Sequence, residues 1–288
     1  MCTCGAFVSH NKTLRATSLA AKTIDFYASS LWVGRVHSTE GYQAIGCGLV
    51  PQIGVNSGMN EKGLVVLLSY LDYRGPFDHD DTIKEIPSSG ISVWAEDYRA
   101  IINAEILSRC SSANEAIELL YQLVPHYKGM PGGNHMLLDS EGRLAVFEHC
   151  NGVMNHMFYE SYVARGNNGR CVRLAEQSDI PEMVNRDRTE RYQSMETSVY
   201  HIWEALQQGG TKVNAEQQLK RQLAEHKNDG GIGSICCHSL SLTGARANTN
   251  RVLSTVSAII FDPLELVMHF TEGSPCKVLW QSLPLAMV

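Results

Sequence analysis

Met1-Cys2-Thr3-Cys4-Gly5-Ala6-Phe7-Val8-Ser9, answered after a turn by Ser18-Leu19-Ala20-Ala21-Lys22-Thr23-Ile24-Asp25-Phe26-Tyr27, is the stretch from which the fold of this chain can be read. Residues 3–9 are β-prone, His10-Asn11-Lys12 supplies a turn, and residues 18–27 run back as a partner strand. Working outward, residues 31–36, 43–50 and 64–71 continue the strand pattern. Gly54, Gly58 and Gly63, with Asn56 and Asn60, predict tight turns before the last of these strands.

A helical stretch follows. Residues 92–108 place Val93, Tyr98, Ile101, Ile102 and Ile106 on one helical face. Ser112 is an N-cap for residues 113–123, with Glu115 in capping-box position. Strands return at 135–138, 143–149, 153–158 and 162–165, the first two joined by the hairpin turn Asp139-Ser140-Glu141-Gly142. A second helix pair is expected at 194–208 and 215–226, broken by Gly209-Gly210. Strands at 235–242, 252–261 and 266–271 close the chain. Strand-rich, two helices, strand-rich, two helices, strand-rich is the order of an α+β protein with antiparallel sheets covered by helix pairs. We therefore expect a four-layer αββα sandwich in one domain spanning residues 1–288.

Composition excludes several function classes. The 288 residues carry 24 Lys+Arg against 30 Asp+Glu, a formal charge of -6, with no basic cluster longer than a pair, so a nucleic-acid partner is not expected. With 44% hydrophobic and 19% charged residues the chain is not disordered. Its longest nearly apolar run, about residues 63–71, is far short of the roughly 18 residues of a membrane span. The beginning of the sequence lacks a basic-then-apolar signal, so a soluble, cytoplasmic protein is expected. Nine cysteines, an odd number without regular spacing, argue against a disulfide framework.

No phosphate-binding loop, dinucleotide fingerprint, H-E-x-x-H or G-x-S-x-G motif is present. None of the eleven histidines has a neighbour at the local spacing of a metal cage, so neither a metal nor an organic cofactor is expected. Cys2 is different in kind. Removal of Met1 would leave a residue bearing both a thiol and an α-amine. The amine has an unperturbed pKa of roughly 7.7–8.0 and can act as the base for the thiol. One residue would then supply nucleophile and base, with no histidine required.

The residues around Cys2 extend this reading. Cys2-Thr3, a strand, a turn and Ala21-Lys22-Thr23-Ile24-Asp25-Phe26 resemble the start of the N-terminal-nucleophile (Ntn) hydrolases, in particular penicillin V acylases and bile salt (choloylglycine) hydrolases. Lys22 stands where those families carry Arg, so it can act as a point charge but not as a bidentate fork. Asn60-Glu61-Lys62-Gly63-Leu64 resembles their N-E-K-G-L turn, and Tyr70 matches the position of their Tyr or Asn. Further along, the likeness is to isopenicillin N acyltransferase-like proteins. Gly133-Asn134 through Gly142, with Val146 and Glu148, is similar to their G-N-x-x-L-x-D-x-x-G hairpin. Gly166-Asn167-Asn168 falls where they have T-N-H, although no His follows either Asn here. Thr189-Glu190-Arg191-Tyr192 fits S-x-x-R, Ile235-Cys236-Cys237-His238 resembles I-C-R-H, and Gly273-Ser274-Pro275-Cys276 resembles G-x-P-C.

The resemblance implies roles. Cys2 would attack an amide or thioester carbonyl and form an acyl-enzyme, with Cys4 as the fallback nucleophile. Asp25 would orient the amine or thiol, Arg191 would orient Asp25 and Cys2, and Lys22 would lower the thiol pKa. The Tyr70 backbone N–H and the side chain of Asn167, or of Asn168 beside it, would form the oxyanion hole. The implied activity is hydrolysis of a linear C–N amide or thioester. The alternatives are an acyltransferase moving an acyl group from a thioester carrier to an amine, and a non-catalytic binding scaffold on the same fold. The partner is a small-molecule acyl substrate, with an amine acceptor if transfer occurs, and a homo-oligomer is allowed. Residues 72–89 would contribute to the acyl pocket.

Overall fold

The opening hairpin forms: in the computed structural model, β1 (Cys4–Ser9) pairs antiparallel with β2 (Thr17–Phe26), Cys4 opposite Lys22 and Ser9 opposite Thr17. The structure describes residues 2–10, 16–26, 31–36, 40–50, 53–71, 84–85, 92–93, 98–127, 130–172, 182–238 and 253–285. Met1, and all but two residues of the 72–89 stretch, lie outside them. The chain continues through β3 (Leu31–Val36), β4 (Ala44–Leu49), β5 (Ser57–Asn60) and β6 (Val65–Leu71) to the two-residue strands β7 (Lys84–Glu85) and β8 (Ser92–Val93). Helices α1 (Arg99–Arg109) and α2 (Ala113–Leu123) precede β9 (Gly132–Leu138), β10 (Leu144–Cys150), β11 (Val153–Tyr159) and β12 (Tyr162–Arg165). Helices α3 (Glu182–Gln207) and α4 (Lys212–Leu223) lead to β13 (Ser254–Asp262), β14 (Val267–Phe270) and β15 (Gln281–Pro284). No helix among the described residues is long and apolar enough to cross a membrane.

Two antiparallel sheets result, with strand orders β12-β1-β2-β13-β14-β15 and β11-β10-β9-β6-β5-β4-β3. Alternate residues of each strand face opposite ways. Cys4, Ala6, Ala20 and Ile24 of the first sheet meet Ile45, Met59, Leu67 and Val146 of the second in a shared core. The outer face of the first sheet (Phe7, Leu19, Ala21, Ile260) packs on Met195, Val199 and Ile202 of α3 and Leu219 of α4. The outer face of the second (Val66, Leu137, Phe147) packs on Ile102 and Ile106 of α1 and Ile117 and Leu120 of α2. This is the expected αββα sandwich. Because both faces of each central strand are covered, β2 is buried along nearly its whole length and its sequence shows little polar alternation.

Several elements differ from the sequence expectation. Residues 57–60 form a strand, not a glycine turn. Gly46 and Gly58 lie opposite each other in β4 and β5, and a Cβ on Gly58 would sit 2.7 Å from Leu107 of α1. Gly58 thus admits α1 at close range. The expected helix over 92–108 begins only at Arg99, since Ser92–Val93 pairs with Lys84–Glu85. Helix α3 begins twelve residues before its expected start at 194, and β15 was not expected. Helix α4 starts at Lys212, behind its cap Thr211, and ends at Leu223. Residues 235–238 are not a strand: Cys236 N–H donates to Glu225 O and His238 N–H to Gly230 O, so these groups serve loops and not a ladder. The rest of that expected strand, 239–242, lies outside the described residues. At α2, Ser112 caps as expected, but Glu115 returns to the N–H of Ser111 (2.6 Å), and Asp139 of the β9–β10 hairpin accepts from Ala113 N–H (3.0 Å).

Between α1 and the second sheet lies a buried histidine pair, with His135 Nε2 3.2 Å from His149 Nε2 and His135 Nδ1 2.8 Å from Asn103 Oδ1 of α1. Burial, then the Arg99 charge, pushes His149 down to about 3, and burial with His149, Arg99 and Lys22 lowers His135 as well. The unfolded chain takes up these protons near pH 6.5 while the folded chain does not. Stability is therefore full above that pH and falls as the pH drops, by about 1.4 kcal/mol per unit for each histidine. Urea unfolding between pH 7 and pH 5 is expected to show this loss, with a shallower slope in His149→Gln.

Candidate active site

The β1–β2 hairpin carries its chemistry at the open end. Thr3 N–H donates to Thr23 Oγ1 (3.2 Å) and Thr23 N–H to Thr3 O (2.9 Å), which extends the pairing to the residue beside Cys2. Lys22 and Asp25 are three apart on β2, and they leave the sheet on opposite sides. Lys22, fully buried, enters the space between the sheets, where its ammonium donates to Asn56 Oδ1, Ser57 Oγ (3.3 Å) and Leu68 O. Asp25 turns toward α3. Its carboxylate is paired with Arg191 and accepts from Thr255 Oγ1 at 2.6 Å.

Arg191 also lies 3.9 Å from Asp187, one helical turn earlier on α3. Burial opposes charge on this guanidinium, but Asp25 and Asp187 more than offset it, and its pKa is raised. Asp187 itself is raised by burial and accepts the N–H of Gly233 (2.8 Å). The inward stripe of α3 thus runs Val184, Asp187, Arg188, Arg191, Met195, Val199, Ile202, Leu206 at helical spacing. Its first turns carry charge where the later ones carry core.

Cys2 is half-buried. Its backbone nitrogen donates to Asn167 Oδ1 (3.1 Å), and Asn167 Nδ2 donates to Tyr70 O (2.6 Å). Asn167 therefore links Cys2 to the second sheet, and the described contacts of Asn168 include no such link. The loop bearing Asn167 is held by Glu148 of β10. One carboxylate oxygen accepts Arg165 Nε (2.8 Å), and the other accepts the N–H groups of Arg170, Cys171 and Val172 at 2.7, 2.6 and 2.9 Å. Ser69 and Asn134 both donate to Gly166 O, at 2.9 and 3.1 Å, from the strand side. Cys4 and Cys47 lie in the electrostatic neighbourhood of Lys22 and Cys2, and burial pushes both thiols up to about 12.

The six residues singled out in the sequence thus gather in one region: Cys2, Asn167 and Tyr70 in one chain of hydrogen bonds, Asp25 and Arg191 in a buried pair, and Lys22 between them and the second sheet. Sequence reasoning missed Thr255, Asp187 and the Glu148–Arg165 pair as supports. The i,i+4 spacing of Asp187 and Arg191 was the available signal. It also missed that His226, Cys236, His238 and Cys276 converge, with ligand atoms within 4.8 Å of one another.

Two covered antiparallel sheets, with a cysteine-led hairpin opening between them, define the Ntn-hydrolase fold. Solved structures with this architecture include penicillin V acylase from Agrobacterium tumefaciens, with a TM-score of 0.52 at 14% identity over 98% of this chain and 86% of that one. The C2A mutant of conjugated bile acid hydrolase from Clostridium perfringens gives 0.54 at 12% identity, over 99% and 92% of the two chains. The Caenorhabditis elegans ortholog of N-acylethanolamine-hydrolyzing acid amidase gives 0.51 at 12%, over 90% and 93%. No family model matches the chain, and no curated protein matches it by sequence. Such identities carry the fold, and the isopenicillin N acyltransferase-like branch rests on the sequence motifs alone.

Arg191→Met would leave Asp25 and Asp187 buried without their guanidinium. Breaking a buried pair from one side costs about 3–5 kcal/mol. Urea unfolding of Arg191→Met is expected to show a loss of that size, partly recovered in Arg191→Lys.

Proposed function

We propose that this chain is an Ntn amidohydrolase that cleaves a linear C–N amide bond of a small molecule through a Cys2 acyl-enzyme. The observation that carries the reading is the 3.1 Å bond from the Cys2 nitrogen to Asn167 Oδ1, which fixes the group that becomes the α-amine once Met1 is removed. Of Cys2, Cys4 and Cys47, Cys2 alone is partly open to solvent, since Cys4 and Cys47 are buried and pushed up to about 12. The three structural neighbours are, by name, an acylase, a bile acid hydrolase and an acid amidase, and one of them was solved with the cysteine at its second position replaced.

In this reading the α-amine takes the thiol proton and the thiolate attacks the substrate carbonyl. The second Nδ2 proton of Asn167 and the Tyr70 backbone N–H stabilise the oxyanion. Collapse breaks the C–N bond, with the α-ammonium protonating the departing amine. Water, deprotonated by the same amine, then hydrolyses the thioester. Asp25 orients the amine, Arg191 holds Asp25, and Lys22 supplies positive charge on the thiol side.

Intact-mass spectrometry with an activated acyl amide tests this. The expected result is a chain lacking Met1 that gains one acyl group, and no gain in Cys2→Ala. Persistence of Met1 in the reactive protein, or labelling that survives in Cys2→Ala, would sink the mechanism. Absence of labelling in a correctly processed chain would favour a binding scaffold. Asn167→Ala is expected to lower kcat by about 10²–10³, the usual cost of one oxyanion donor. Burst kinetics with added amines separate hydrolysis from acyl transfer: product partitioning toward the amine marks a transferase.

A further inference from the structure

The Ile235-Cys236-Cys237-His238 and Gly273-Ser274-Pro275-Cys276 motifs take no direct part in the reaction proposed above, yet the fold brings them together. Cys236 Sγ lies 3.7 Å from both Cys276 Sγ and His238 Nε2. His238 Nε2 lies 3.1 Å from Cys276 Sγ and 2.9 Å from His226 Nε2. A zinc ion with Zn–S of about 2.3 Å and Zn–N of about 2.0–2.1 Å has tetrahedral edges of about 3.8 Å between sulfurs, 3.5 Å between sulfur and nitrogen and 3.4 Å between nitrogens. Four of the six separations lie within about half an ångström of those edges, and all six lie within 4.8 Å. A single imidazole nitrogen directed at two sulfurs and a second imidazole nitrogen also has more partners than one N–H or one lone pair can serve.

We propose that His226, Cys236, His238 and Cys276 form a structural zinc site. Two thiolates and two neutral imidazoles neutralise Zn²⁺, and binding releases the two thiol protons to solvent. All four positions are filled by the protein, which leaves none open for a substrate, as in structural and unlike catalytic zinc centres. The ligands are set by backbone contacts on every side. Cys236 N–H donates to Glu225 O beside His226, and His238 N–H donates to Gly230 O. Gly230 has φ 91°, and a Cβ there would lie 2.7 Å from the His238 ring, so this turn needs glycine. Ser274 Oγ donates to Thr255 O (2.9 Å) and Lys277 N–H to Ser274 O (2.9 Å), which holds the turn bearing Cys276.

The site has a mechanical consequence for the first one. Cys237, between two ligands, donates its N–H to Thr255 Oγ1 (2.9 Å) and accepts from Thr255 N–H (2.9 Å), and Thr255 is the hydroxyl donor to Asp25. Zinc would therefore fasten an irregular segment that forms the wall behind Asp25.

The test uses the full chain purified under reductant. Metal analysis is expected to give about one zinc per chain. Co²⁺ replacing zinc is expected to give an intense tetrahedral visible spectrum with a thiolate charge-transfer band. Cys276→Ser and His226→Ala, both at exposed positions outside the core, are each expected to weaken zinc binding by more than about 100-fold, since even residues behind metal ligands cost 10–100-fold. His201→Ala, at an exposed histidine outside the cluster, should leave it unchanged. Sub-stoichiometric zinc at saturating metal, a cobalt spectrum without thiolate character, or full binding in Cys276→Ser would each overturn the proposal.

Discussion

The register of β1 on β2 is the constraint on which the rest of the site depends. Cys4 opposite Lys22 places the beginning of the chain at the open end between the sheets, with the Lys22 ammonium on the inner side and the Asp25 carboxylate on the outer. A slip of one residue would exchange those sides and send Ala6, Ala20 and Ile24 out of the shared core. Register is fixed by apolar packing on both faces, so the charged positions are carried by the core. The close approach of α3 reinforces this. A Cβ on Gly5 would lie 2.8 Å from both Met195 and Val199, so β1 and α3 meet nearly backbone to side chain.

Charge is buried in three separate ways around this hairpin. Lys22 is held by neutral oxygens of the opposite sheet, Asp25 by a guanidinium and a hydroxyl, and Glu148 by a guanidinium and three backbone N–H groups. Removing any of these ions from water is costly unless its partners are all in place. Each arrangement therefore specifies the position of the elements that supply the partners. Glu148 is the clearest case: its three N–H donors are consecutive, so one carboxylate oxygen fixes the curvature of the loop that delivers Asn167 to Cys2. Consecutive N–H groups converging on an anion form a nest, and here the anion is part of the protein.

Much of the layer order was legible because apolar strands and capped helices announce themselves locally. Cys2, Lys22 and Asp25 were legible as a motif on one hairpin, and Asn167 as the end of a strand. The start of α3 was not, because its inward residues there are Asp187, Arg188 and Arg191, and an apolar stripe is the signal a helix normally gives. The strand at Ser57–Asn60 was hidden for the opposite reason: Gly58, read as a turn residue, is a packing residue beneath α1. Asn60 illustrates how one residue serves both readings. Its Oδ1 accepts Lys62 and Leu64 N–H in the following turn, while its Nδ2 donates to Leu107 and Cys110 O at the end of α1.

The adjacent pair Cys236-Cys237 shows why thiols of one sequence serve different ends. Their side chains go separate ways although the segment is not a strand. Cys237 turns inward to Thr255 and is fully buried, while Cys236 turns toward two imidazoles and the exposed thiol of Cys276. Burial favours the neutral thiol, which is why Cys4, Cys47 and Cys110 behave as small apolar groups. Chemistry at sulfur requires stabilisation of the thiolate, either by a nearby base and positive charge or by a metal. In the readings proposed above, the first lies at the end of β1 and the second beside α4, and Thr255 bonds both to Asp25 and to the Cys236–His238 segment. A segment that cannot form a ladder is thereby tied at one end to the Asp25 pair and at the other to a site able to hold a cation, so rigidity missing from its backbone pairing comes from its side chains.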